Sequence, residues 1–379
     1  MLPSSAMRVL FVIGTMGRGG AEIQVKELAL ELASRGHAIA IVVMLPFLDF
    51  EDALKAGGIQ AISLGMARGE PTATAIFELA RLARRFKPDV VHAHMYAGIL
   101  LSRAVRCLPA AVRGKWRALV CTSHSGKERS RARYLAYRLT SRLSEQWTSV
   151  SRDGLANYRA HGALGSGAAT YVPNGVDTAR FRPDPSSRAD TRAALRIRDD
   201  FMWLAVGSFN NEDKDHTNLL HAFTRLVRAG SSSVLVIAGD GVLLDNKRAL
   251  AKSLGIEDRV CFVGMSSDVP LLLRAADAYV LSSQQEALPL AVLEAAATAL
   301  PIVTTDVGDC SLVVKDGNGG FVVPPRDSEL LASAMDRLEG MNAGARVQMG
   351  EAGRKRVVAE FSLSALVDRW ENLYRDLGA

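Results

Sequence analysis

The sequence predicts an α/β protein of two domains, each built on a parallel sheet covered by helices. Three observations carry this. The chain has 379 residues, room for two domains of ordinary size, and its 48% apolar and 23% charged residues are a globular mix. Short apolar runs alternate with helical stretches in both halves, and βαβ alternation requires parallel strands. A stretch holding Pro183, Pro185, Ser186 and Ser187 separates the halves.

In the first half, Val9 to Ile13 reads as a buried strand. The glycine loop Gly14-Thr15-Met16-Gly17-Arg18-Gly19-Gly20 follows, then a helix from Ala21 to Arg35 stopped by Gly36, then a strand from Ile39 to Leu45. Such a loop lets backbone N–H groups approach a phosphate, and it also serves as a plain tight turn. Its G-x-x-G-x-G spacing differs from the G-x-G-x-x-G of dinucleotide folds, and the second strand ends Met44-Leu45-Pro46 with no carboxylate for a ribose. Ala75 to Phe86 is a helix. Pro88-Asp89-Val90-Val91-His92-Ala93-His94 is the next strand, with His94 at the carboxyl edge where such sheets bind ligands and His92 read as structural.

Ser102 to Arg117 holds five basic residues and no acidic one; Ala118 to Thr122 is then a strand ending in Ser123-His124-Ser125. Between Lys127 and Arg142 lie Lys127, Arg129, Arg131, Arg133, Arg138 and Arg142 against Glu128 alone, with Tyr134, Leu135, Leu139 and Leu143 at helical spacing. The ordinary reading is a solvated helix with its apolar face on the core. The sharper one is a surface for an anionic membrane, shared with residues 102–117. Strands at Gln146 to Ser151 and at Tyr171-Val172 precede the turn Pro173-Asn174-Gly175-Val176-Asp177, which is assigned no chemistry.

The second half opens with a helix from Arg188 to Leu195 and a strand from Phe201 to Val206. The loop Gly207 to His216 leads to a helix from Thr217 to Arg228. Within it, Asp213-Lys214-Asp215 has the D-x-D spacing of some metal sites, but a lysine between the acids suits a phosphate better than a hard cation, so no metal is expected. Strands follow at Val234 to Ala238, at Val260 to Val263 before Gly264-Met265, and at Ala278 to Leu281; further ones come at Ile302 to Thr305 and after Gly319. Helices at Ser328 to Glu339 and Ala345 to Glu360, and a last one after Phe361-Ser362 with Trp370 and Tyr374, complete the chain.

The stretch from Ser282 to Ala295 joins the Ala278 strand to a run of helix formers, Leu290 to Leu300, stopped by Pro301. Glu286 sits at that junction and Glu294 in the first turns of the helix. Free N–H groups and partial positive charge at a helix start suit a phosphate, and carboxylates on either side can hold hydroxyls. Ser283 and Glu286 also have the S-x-x-E spacing of a capping box, and on these residues alone both readings stand.

Glu286 and Glu294 with seven residues between them, Ala295 to Val303 after them, and Asp306-Val307-Gly308-Asp309 beyond resemble glycosyltransferase family 4. Gly19-Gly20-Ala21-Glu22, Pro88 to His94, Ser123-His124, Pro173 to Asp177 and Gly319 to Pro325 resemble further motifs of that family, over nearly the whole chain. The resemblance implies a GT-B fold, two Rossmann-like domains facing across a cleft: an acceptor-side domain over 1–183, a donor domain over 184–361, and a helix over 362–379 crossing back to the first. It implies a retaining transfer of a sugar from a UDP- or GDP-sugar to an acceptor hydroxyl on a glycan or lipid-linked glycan, in cell-surface polysaccharide synthesis. His124 and Glu286 would act on the transferred sugar. Gly19, Gly20, Lys214, Met265, Leu288, Leu290 and Glu294 would bind the donor, with Glu294 on the ribose and the base resting near Met265. The nucleotide sugar is a substrate, so no cofactor is implied. Two departures stand out: Ser208 takes the place of an expected arginine, with Lys214 about one residue late, and Ala287-Leu288-Pro289 replaces Gly-Phe-Gly or Gly-Phe-Pro.

A nucleotide-sugar epimerase of similar architecture, a donor hydrolase and a non-catalytic nucleotide-sugar-binding protein are the alternatives, the last motivated by Ser208 and Ala287. The net charge of +6 favours acidic small molecules or membrane surfaces, and no nucleic-acid motif is present. Cys107, Cys121, Cys261 and Cys310 lie far apart and read as reduced, buried thiols of a cytoplasmic protein, one placed at the inner face of the membrane if the basic segments bind it. The longest apolar run, Ala38 to Leu48, is too short to span a bilayer and contains Pro46. Arg8 leads directly into a strand, unlike a signal peptide.

Overall fold

The computed structural model describes residues 6–46, 49–67, 72–165, 167–266 and 268–378; residues 47 and 48, at the end of the longest apolar run, lie outside them. The chain forms two compact units, Met1–Gly175 with Leu363–Ala379, and Val176–Ser362. The division falls at Gly175, ahead of the proline-bearing stretch expected to mark it. Val176 and Phe181 explain this: both are buried in a core cluster of the second unit, and the Val176 N–H donates to Phe361 O at 2.9 Å.

The first unit runs β1 (Arg8–Ile13), α1 (Gly20–Ser34), β2 (Ala38–Val43), α2 (Glu51–Ala56), β3 (Gln60–Ser63), α3 (Ala73–Phe86), β4 (Val90–His94), α4 (Met95–Arg106), α5 (Ala110–Arg113), β5 (Ala118–Ser123), α6 (Arg131–Thr140), β6 (Gln146–Ser149), α7 (Arg152–Ala160) and β7 (Ala168–Tyr171). Its seven strands lie in the order β3-β2-β1-β4-β5-β6-β7, all parallel. Successive residues of a strand point to opposite faces, so Val9, Phe11 and Ile13 enter one apolar cluster and Leu10 and Val12 the other. The helix after residue 362 belongs to this unit: Leu363, Leu366, Val367, Trp370 and Tyr374, at helical spacing, are buried on the Val9 side of the sheet.

The second unit runs α8 (Arg188–Ala194), β8 (Met202–Val206), α9 (His216–Arg228), β9 (Val234–Ala238), α10 (Leu244–Ser253), β10 (Val260–Gly264), α11 (Val269–Ala275), β11 (Ala278–Leu281), α12 (Leu290–Ala297), β12 (Ile302–Thr305), α13 (Cys310–Val313), β13 (Gly320–Val323), α14 (Ser328–Glu339) and α15 (Ala343–Glu360). The last helix, α16 (Leu363–Asp376), returns to the first unit. The six strands order as β10-β9-β8-β11-β12-β13, again all parallel.

In each sheet the chain starts in the middle, winds outward one way, then returns to wind the other way. The reversal lies between β1 and β4 in the first sheet and between β8 and β11 in the second. Loops leaving the carboxyl ends of those strands diverge, and the crevice they leave is where open α/β sheets bind ligands.

Two expectations are corrected. Tyr171 ends a strand instead of starting one, because residues 168–171 take the edge beside β6. Of the four cysteines only Cys121 and Cys310 are buried; Cys107 is exposed, at the end of α4, and Cys261 half-buried. Among the described residues no helix is long and apolar enough to cross a membrane.

Candidate active site

The loops at the second unit's reversal point bring Lys214 and Glu286 together. Lys214 lies in a single helical turn, Glu212–Lys214, after β8, and Glu286 in the loop after β11. Lys214 Nζ is 2.6 Å from Glu286 Oε1, and the Ser283 hydroxyl donates to the same oxygen at 2.7 Å. The two loops are joined along their length: Gln284 N–H donates to Asp213 O at 2.8 Å, its side chain to Glu212 O at 2.7 Å, and the Ser282 hydroxyl to Lys214 O at 2.9 Å. Thr305, at the end of β12, anchors Ser283 O from below at 2.6 Å. A cation and a carboxylate are thereby held, partly shielded, at a crevice open to ligand.

Helix α12 starts at Leu290 with Pro289 as its cap, and no side chain caps it. The capping-box reading of Ser283 and Glu286 is therefore corrected: both lie ahead of the helix, and the serine binds the carboxylate instead of a backbone N–H. The helix begins after the loop that leaves the carboxyl end of β11. Leu288 is buried in the core, Leu290 is half-buried at the first helical position, and Glu294 lies one turn further. The path of residues 286–288 depends on Gly308, whose φ is +54°. A Cβ there would meet Ala287 O at 2.2 Å.

The D-x-D acids do not converge. Asp215, at φ +45°, caps α9 through the Asn218 N–H at 3.1 Å, while Asp213 accepts from the Asn211 side chain at 2.8 Å. Among the described residues no group of three or more His, Cys, Asp or Glu could hold a metal ion. Ser208 is exposed in the same loop. A second lysine, Lys247 of α10, is buried nearby and bound to both oxygens of Glu212, at 2.8 and 2.9 Å, and to the Thr217 hydroxyl. Met265 follows β10, two strand spacings or about 10 Å from β8, and its side chain is exposed.

In the first unit three histidines stand together at the carboxyl ends of β4 and β5. His94 Nδ1 and His124 Nε2 are 3.0 Å apart, and the His92 and His94 rings are 4.0 Å apart. His92 is fully engaged, with Nδ1 on the Tyr374 hydroxyl at 2.7 Å and Nε2 on the Thr122 hydroxyl at 2.6 Å. Burial pushes His124 down to about 4 and holds His92 and His94 well below the usual imidazole range, so all three are neutral near pH 7. The chain turns from β4 into α4 with no loop, and Met95 takes a left-handed φ of +63° to do so.

Helix α1 starts at Gly20 with Gly19 as cap. The Glu22 carboxylate curls back against Gly19, where an added Cβ would lie 2.4 Å from Glu22 Oε2, and it accepts from the Thr15 hydroxyl. This helix start already faces a carboxylate of its own chain.

The two basic segments differ. In residues 102–117, Arg103 is buried and donates to Tyr137 O, Thr140 and Ser144, Arg106 pairs with Glu145, Arg113 donates to Leu108 O, and Arg117 reaches Gly378 O. Most of that charge is spent on structure. In residues 127–142 the expected apolar face is corrected: Tyr134 and Tyr137 are buried, while Leu135 and Leu139 are 53% and 75% exposed, among the exposed Arg131, Arg138 and Arg142.

Sequence reasoning gave no role to Ser283 beyond capping, and none to the contact of His94 with His124. The serine's signal was its spacing from Glu286; the histidines' was that each ends a strand.

Residues 187–356 match the family profile described as "Glycosyl transferases group 1", and residues 18–180 match "Glycosyltransferase Family 4". The D-inositol 3-phosphate glycosyltransferase of Saccharomonospora viridis is 28% identical over 96% of this chain and 90% of its own length. The GDP-mannose-dependent alpha-(1-6)-phosphatidylinositol monomannoside mannosyltransferase of Mycobacterium tuberculosis is 30% identical over 54% of this chain; the match spans about half of that relative, 53%. The Anabaena protein HepE, solved in complex with UDP and glucose, aligns over 98% of this chain and all of its own with a TM-score of 0.84 at 16% identity, a likeness of fold.

Proposed function

The chain belongs to the group 1 glycosyltransferases, family 4, with a GT-B fold, and from that premise we propose that it moves a sugar from a UDP- or GDP-sugar to an acceptor hydroxyl with retention at the anomeric carbon. The pairing of Lys214 with Glu286 beside the start of α12 carries this reading. Bond breaking leaves negative charge on the departing diphosphate. Lys214 and the N–H groups near Leu288 and Leu290 neutralise it, the helix end supplying about 0.3–1 kcal/mol. Glu286 accepts hydrogen bonds from the sugar hydroxyls and Glu294 from the ribose, while the base rests near Met265. His124, neutral, donates to the transferred sugar without a charge to neutralise. No metal is needed, because the lysine and helix start balance the diphosphate.

Gly19 and Gly20 serve the acceptor side better than a phosphate in this reading, since the Glu22 carboxylate beside them repels an anion and accepts from a hydroxyl. The relatives' printed names, one GDP-mannose-dependent and acting on a phosphatidylinositol mannoside, one solved with UDP, support a nucleotide-sugar donor and a glycan or lipid-linked acceptor; cell-surface polysaccharide synthesis is the setting we infer for it. The exposed face of α6 supports peripheral contact with an anionic membrane at its inner, cytoplasmic side.

Calorimetry with UDP, GDP, UMP and GMP tests the donor site. One diphosphate binds at least tenfold more tightly than its monophosphate, and Lys214→Met removes most of that gap; equal affinities overturn the assignment. Incubating the matching nucleotide sugar without acceptor then separates the alternatives: an epimerase converts it, a hydrolase consumes it, a binding protein turns nothing over even when acceptor is added, and a transferase waits for the acceptor.

A further inference from the structure

His124 stands on a segment that no sheet or helix holds. Residues 124–130 join β5 to α6 with no strand or helix of their own. What fixes the imidazole is therefore whatever fixes that segment.

The two sides of His124 meet at one atom. The Tyr158 hydroxyl, on α7, donates to Glu128 Oε1 at 2.7 Å and accepts from the Ser123 hydroxyl at 2.7 Å. Ser123 comes just before His124, and Glu128 four residues after it. Tyr158 is fully buried, Ser123 nearly so, and only 7% of the Glu128 side chain is exposed, so bulk water does not compete at this junction. A phenol has one hydrogen, and a carboxylate can only accept, so that hydrogen goes to Glu128. The contact with Ser123 then uses the hydrogen of the serine. Burial, with the Glu128 charge beside it, raises the Tyr158 phenol above the ordinary tyrosine range, so it keeps the hydrogen it donates.

Other contacts brace the same loop. Glu128 also accepts from the Tyr137 hydroxyl and from Arg133 Nη1, both at 3.2 Å, and its N–H donates to the Tyr134 hydroxyl at 2.8 Å. The first turn of α7 lies close by: a Cβ on Gly154 would be 3.2 Å from Ser125 O. A buried phenol needs one partner to be satisfied. This one has two, and among the described residues it is the one group bonded to both Ser123 and Glu128.

We propose that Tyr158 is a positioning residue whose hydroxyl clasps Ser123 to Glu128 and so fixes the loop that presents His124. The effect on transfer rests on the reading of His124 as a donor to the transferred sugar; the clasp itself does not.

The test is the histidine-ring ¹H–¹³C spectrum of the full chain near pH 7, assigned with single-histidine variants, for wild type and for Tyr158→Phe. That change removes one oxygen and keeps the ring. The His124 signal shifts or broadens. The signals of His37, held by the Met7 N–H and Glu371, and of His216, in the second unit, stay in place. kcat falls about tenfold. Donor KM stays within about twofold, because Lys214 and Glu286 lie in the second unit. Ser123→Ala opens the other half of the clasp and does the same, and the double variant moves His124 no further than either change alone. An unmoved His124 signal in a folded Tyr158→Phe protein overturns the proposal, and so do equal shifts at every histidine, which mark a general loosening. Should Tyr158→Phe fail to fold, Ser123→Ala decides by the same signals. A shifted His124 signal, together with full transfer by His124→Ala, upholds the clasp and removes His124 from the reaction instead.

Discussion

Lys214 Nζ and Glu286 Oε1 lie 2.6 Å apart, and Ser283 shares the same carboxylate oxygen. The pair is complete before any substrate arrives. In the proposed reading a diphosphate competes for the lysine and sugar hydroxyls compete for the carboxylate, so donor binding exchanges one partly shielded pair for two sets of charge-assisted bonds.

Glu286→Ala therefore lowers kcat by about 100-fold or more, the scale of losing a group that meets charge or hydroxyls in the transition state. Lys214 keeps some access to water, so the variant stays folded, with a melting temperature within a few degrees of wild type. Initial rates and a circular-dichroism melt measure both. Full activity in this variant would remove the site assignment.

Chelation leaves the rate unchanged, because Asp213 and Asp215 are held by Asn211 and by the start of α9. Asp215→Ala lowers stability by about 1 kcal/mol through the lost cap. Assays with EDTA, then with added magnesium, read this directly; a loss restored by magnesium would revive the D-x-D motif as a metal site.

His216 is buried against Phe209, ring centroids 4.0 Å apart, and burial pushes it down to about 4. Its folded value lies below the unfolded value of about 6.5. The unfolded chain thus takes up the proton first as pH falls. Stability is whole above about 6.5 and declines toward pH 4, by at most about 1.4 kcal/mol per pH unit for this one group. Urea unfolding between pH 4.5 and 7.5 shows a shallower slope for His216→Phe than for wild type. Identical slopes would mean that His216 takes up its proton over the same pH range in the folded and unfolded chains.

Leu135 and Leu139 stand exposed on α6 among arginines. Flotation with vesicles of anionic phospholipid at low salt recovers the wild-type protein, and roughly 0.5 M salt releases it by screening. Leu135→Glu with Leu139→Glu stays unbound. Wild-type protein that fails to float at low salt ends the membrane reading.

The strands of the two sheet centres were legible, because buried parallel strands are short, nearly continuous apolar runs, as at Met202–Val206 and Ala278–Leu281. The edges were not. β3 and β7 hold only exposed and half-buried residues and carry no apolar run. Glu286, Glu294, Lys214 and His124 were singled out through family motifs. Ser283 stayed open between two readings because a capping box and a loop serine three residues before a glutamate look alike until the helix start is known.

By itself the sequence determined the central strands of each sheet and most of the longer helices, and their order, since side-chain periodicity, glycine and proline act over a few residues. Only the tertiary structure decided which distant groups meet. Lys214 and Glu286 are 72 residues apart and come together because β8 lies beside β11. His94 and His124, 30 apart, come together because β4 lies beside β5. Strand order is set by non-local backbone pairing and by burial of both faces of each sheet, which no local pattern encodes.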